Sequence, residues 1–166
     1  MLAEFEKQKI EREHIIRESR LTMVICLAML ASIAVYALVA NFFRNRGTAG
    51  AGVRDVWSIL NIISIVLIIA VLAVRKTIYF SPRLVRDDFT LGALLRRWRS
   101  IDIVLLSFAE IIAIFGLVIT LMGMPFKQTF HFFVGGFLLG MINMPVTFKV
   151  RDKIRMFEKY AGKSIL

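Results

Sequence analysis

Four stretches of this chain are apolar enough and long enough to cross a membrane as helices: Leu21 to Phe43, Val56 to Val74, Ile101 to Met122 and Phe130 to Phe148. At 1.5 Å per residue, a run of about 20 residues covers the roughly 30 Å of hydrocarbon in a bilayer. Every backbone N–H and C=O must find its partner within the span there, so the expected fold is all-α, a bundle of four transmembrane helices. The remainder is divided into a helical extension over residues 1–20 and a membrane domain over 21–166. Apolar residues make up 58% of the chain and the mean hydropathy is +0.71. Soluble globular domains run at about 45–50% apolar, so water is not the main solvent here.

Charge sets the expected orientation. Lys and Arg number five before the first span, seven between spans two and three and six after span four, against three and one in the other two loops. An even number of crossings puts the three richer segments on one side, and the positive-inside rule makes that side cytoplasmic, with both termini in. The net charge of +10 is then attraction to anionic lipid headgroups, and no nucleic-acid partner is expected. The expected location is the bacterial inner membrane.

The segment AEFEKQKIEREHIIRESR has helix-forming composition, and Lys7 with Glu11, Lys9 with Glu13 and Glu13 with Arg17 are spaced to pair on one helical surface. It lacks the short apolar core and cleavage site of a signal peptide, so the first span is expected to stay in the mature protein, and with no Gly or Pro on the path into that span, one long helix is expected. NRGTAGAG reads as a flexible outer loop, and GMPFKQT is short enough to make spans three and four antiparallel neighbours. Before span three, Leu91, Leu94, Leu95 and Trp98 recur at helical spacing opposite Arg96, Arg97 and Arg99, with Asp87, Asp88 or Thr90 as caps. This is the pattern of an interfacial helix that lies flat and turns upward at Ile101, with Arg96, Arg97, Arg99 and Trp98 at the headgroups. Pro145 is expected to kink span four, with Asn143 satisfying the carbonyls that the kink frees.

The residue that points furthest toward function is Glu110, the one carboxylate between Ile103 and Met124. It lies about 13 Å past the start of its span, near mid-bilayer. An ionised carboxylate there costs on the order of 3 kcal/mol, so it needs a partner, water or its own proton. Counting depth places Ser107, Ser64 and Asn61 within its reach as an ion-binding cluster, with Ser32 or Tyr36 of span one at a similar level. No Lys, Arg or His shares that depth, which favours the neutral acid unless an ion or water enters. Gly136 and Gly140 form a GxxxG pair that lets another backbone approach, read as packing within the chain. His131 falls near the outer boundary as an interfacial anchor. Cys26 is the single cysteine, inside span one, so no internal disulfide is available. There is no P-loop, HExxH, CxxC or GxSxG motif, so the expectation is a non-enzymatic protein without a cofactor or metal of its own.

The stretch SFAEIIAIFGLVITL, Ser107 to Leu121, resembles the carboxylate-bearing helix of the rotary ATPase proteolipid, or c subunit, in which a Glu precedes an aromatic-Gly-Leu-Val/Ile run, here Phe115, Gly116, Leu117 and Val118. The resemblance implies reversible proton or sodium binding at Glu110. It covers about 15 residues and stops there: the family's preceding helix is Gly-rich, whereas VWSILNIISIVLIIAVLAV contains no glycine. Four short spans with one buried Glu are also similar to the small multidrug resistance family. The expected function is thus a small subunit of a membrane complex, self-associated or bound to other membrane proteins, with a protonatable Glu110. The alternative is a small proton- or cation-coupled transporter that uses the same residue.

Overall fold

No glycine or proline falls between Leu2 and Phe42, and in the computed structural model, which describes residues 2–43, 50–79 and 91–144, this segment is one unbroken helix, α1 (Leu2–Phe42). Its length is about 60 Å, twice what hydrocarbon requires. Only the part from Arg20 to Phe42 is apolar enough to cross a membrane, and Glu13, Ile16 and Arg17 before it are exposed. Three more helices follow: α2 (Ala51–Tyr79), α3 (Leu91–Leu121) and α4 (Phe126–Asn143). The described residues contain no strand. Gly52–Arg75 in α2 and Arg96–Leu121 in α3 are also long and apolar enough to span, so the chain is an all-α integral membrane protein with at least three crossing-length helices.

Helix α3 is the centre of the bundle. Of its spanning segment 44% is buried, against 22% in α1 and 11% in α2, and it touches each of the other three helices. One apolar cluster joins α3 to α2 and α4 through Val71, Leu105, Ile112 and Phe132. The other joins α3 to α1 and α4 through Cys26, Ile33, Leu106 and Phe133. The outward faces of α1 and α2 expose large apolar side chains such as Leu38, Ile62 and Val66, as lipid contact requires.

The α3–α4 connection follows from its sequence. Gly123 takes φ 101°, its N–H donates to Thr120 O at 3.0 Å, and Met124 N donates to Ile119 O at 3.1 Å. This is a Schellman closure, in which glycine adopts the left-handed conformation without a Cβ penalty. Pro125 then stands at the N-cap of α4. The two helices close antiparallel, and the buried hydroxyls of Thr120 and Thr129 meet at 2.7 Å across the turn. At its other end α4 stops at Met144, with φ −59° and ψ 122°, the extended backbone favoured immediately before a proline.

Two expectations are corrected. The interfacial helix does not turn at Ile101; α3 runs straight through from Leu91 to Leu121. No proline interrupts that segment, and the Ser100 hydroxyl donates to Arg96 O of its own helix. Trp98 does not present its ring to the outside as an interfacial anchor would. It is 3% exposed and sits in the cluster with Val71 and Leu105, because the apolar stripe it belongs to is covered by protein. The side chains of Leu91, Leu94 and Leu95, the caps at Asp87, Asp88 and Thr90, the outer loop over 44–49, Pro145 and the basic C-terminal segment lie outside the described residues. So do the last four residues of the expected fourth span; α4 supplies its first 14.

Candidate functional site

Ser32 and Tyr36 are four residues apart on α1 and therefore share one face. Both present their hydroxyls to Glu110 on α3. Ser32 Oγ lies 2.5 Å and Tyr36 Oη 3.1 Å from the same carboxyl oxygen, Oε1. Glu110 is half-buried in the seam between the two helices. Among the described residues no Lys, Arg or His forms an ion pair with it, and no group of three His, Cys, Asp or Glu could hold a metal ion. The site is a carboxyl held by hydroxyls.

Ser32 Oγ is also 2.7 Å from Met29 O, so its one hydroxyl proton is shared between the carboxyl oxygen and a carbonyl of its own helix, while Tyr36 Oη donates to Oε1. The 2.5 Å separation falls within the usual range for O–H···O bonds, at the short end.

The remaining members of the expected cluster are elsewhere. The Ser107 hydroxyl donates to Ile103 O of its own helix at 3.0 Å. Asn61 Oδ1 lies 3.2 Å from His131 Nε2, tying α2 to α4, and Trp57 meets the same imidazole edge-on. His131 is thus partnered inside the bundle as well as exposed at its surface. Ser64 is buried, and its hydroxyl has no hydrogen-bond partner among the described residues. Depth counting put α2 and α1 hydroxyls at Glu110's level alike; the packing of α3 turns the carboxyl to α1. The signal available in the sequence was the i, i+4 pair of hydroxyls at mid-span, Ser32 and Tyr36.

Gly136 and Gly140 bring helices together within the chain. A Cβ on Gly136 would stand 2.6 Å from Ala109 O, and one on Gly140 2.7 Å from Leu30 Cδ2. Close approach of α4 to α3 one turn from Glu110 therefore depends on a missing methyl group. Asn143 Nδ2 donates to Leu139 O at 2.8 Å. Arg96 and Arg97 are exposed and Arg99 is half-buried. No protein-family model, curated protein or solved structure matches the chain.

Proposed function

We propose that this chain is a non-enzymatic subunit of a membrane complex, four-spanning with both termini cytoplasmic, in which Glu110 is a protonatable group at a helix contact. The observation that carries the reading is the hydroxyl pair on Oε1: two donors from α1 and no cation around a carboxyl near the middle of a crossing-length helix. The half-exposure of Glu110 supports assembly, because a carboxyl edge left against lipid at that depth is covered at low cost by a second copy or another membrane subunit. Such a protein works through lipids and membrane partners, without nucleic acid, cofactor or metal.

A second reading shares the same atoms. Both donors converge on Oε1 and no donor among the described residues reaches Oε2, so Oε2 is open to a proton or a small cation, as in the transporter alternative and as the likeness to the proteolipid helix implies.

Glu110→Gln separates the two, since the amide keeps the shape and removes the titratable proton. The subunit reading expects altered recovery of the oligomer or complex in gentle detergent and no change in ion flux across reconstituted vesicles. Intact assembly with abolished proton or cation flux establishes the transporter reading instead.

A further inference from the structure

A crevice of about 330 Å³ opens between α2 and α3, with no α1 residue in its lining. Its length is lined by apolar side chains, Leu67, Ala70 and Val74 on α2 and Val104 and Phe108 on α3. The surface it presents is apolar throughout, and Arg97 and Ser100 border it at one end. From Arg97 to Phe108 the helix rises about 16 Å, which is the depth of one leaflet, half of the roughly 30 Å of hydrocarbon.

We infer that this crevice is a binding site for an anionic phospholipid, with an acyl chain along the apolar channel and the headgroup phosphate at Arg97. Charge complementarity argues for the headgroup. Arg97, at the end of the crevice, is exposed, and Arg75 follows the lining residue Val74 in the sequence, so basic side chains border that end. Guanidinium binds phosphate oxygens in bidentate geometry. Shape argues for the chain: the crevice is apolar along its length and holds about 330 Å³ between two helices, less than a protein helix about 10 Å across would fill over the same rise. The inference is independent of Glu110 and rests only on these helices spanning the membrane.

The chain's two tryptophans allow a direct test. Trp98 packs with Val71 and Leu105, both of which line the crevice, while Trp57 lies by His131 toward the other end of α2. Trp57→Phe leaves Trp98 as the single indole and keeps a ring against the imidazole; the lost indole N–H has no hydrogen-bond partner among the described residues. The full chain carrying this change is reconstituted in phosphatidylcholine vesicles containing either brominated phosphatidylglycerol or brominated phosphatidylcholine, and Trp98 quenching is followed against mole fraction.

The expected result is quenching at lower mole fractions of the brominated anionic lipid. Arg97→Gln should move that curve about fivefold toward the phosphatidylcholine curve, the weight of one basic residue at a membrane surface. Ala70→Phe, which fills the slot from an exposed position, should remove the headgroup preference. Equal quenching by the two lipids in the unsubstituted crevice overturns the inference, because it describes ordinary annular lipid. So does quenching by neither, which means that protein covers the slot.

Discussion

Ser32 Oγ and Glu110 Oε1, 78 residues apart in sequence, lie 2.5 Å from each other across the seam between α1 and α3. Hydrogen bonds between membrane helices are worth about 0.6 kcal/mol on average and up to about 1.7 kcal/mol, less than the cost of an unpartnered charge in hydrocarbon. The contact therefore contributes little to the stability of the fold. Ser32→Ala is expected to destabilise the protein by about 1 kcal/mol or less in thermal unfolding in detergent. In a Glu110→Leu background the same change should have no effect, and an undiminished effect there would show that Ser32 acts through some other contact.

Gly136 predicts a larger penalty. Its missing Cβ faces a backbone carbonyl at 2.6 Å, and a carbonyl cannot rotate out of the way as a side-chain tip can. Gly136→Ala should cost on the order of 1–3 kcal/mol, the range for overpacking a close contact. Gly140→Ala meets the flexible end of Leu30 and should cost less, and Gly135→Ala, with nothing nearer than 3.8 Å, should be neutral or stabilising. Equal midpoints for the Gly135 and Gly136 variants would contradict the packing described.

At the α3–α4 turn, Gly123→Ala forces a Cβ into φ 101° and should lower stability by about 1 kcal/mol or more. Gly123→Asn should recover part of the loss, since asparagine tolerates the left-handed region better than alanine does. Unfolding midpoints of the three proteins in one detergent decide this.

Thr120 and Thr129 share a hydrogen bond inside the bundle, and Thr120 also donates to Gly116 O. A double-mutant cycle with Thr120→Val and Thr129→Val should give a coupling of about 0.5–1.5 kcal/mol. Additive single effects would mean that the two hydroxyls are near each other without being coupled.

The crossing-length helices α1, α2 and α3 were legible in the sequence because hydropathy over about 20 residues is set by the solvent, which acts on every residue of the run alike. Position along the helix was legible too, since rise per residue is fixed, and Glu110 falls near the middle of the crossing-length segment Arg96–Leu121. Azimuth was not. Whether Glu110 faces Ser64 on α2 or Ser32 on α1 depends on how α3 is rotated, and that is decided by the sum of contacts such as Gly136 on Ala109 and Leu106 beside Cys26. Trp98 illustrates the same gap. An amphipathic stripe says that one face is apolar and leaves open whether lipid or another helix covers it, and here α2 does.

The most direct test of the account is labelling of Glu110 by a membrane-permeant carbodiimide, which reacts with protonated carboxyl groups in apolar surroundings, followed by peptide mass mapping across a pH series. The account predicts modification at Glu110 by this reagent that is blocked in Glu110→Gln. No modification by this reagent at any pH, together with ready modification by a water-soluble carbodiimide, would place the carboxyl in bulk water and contradict it.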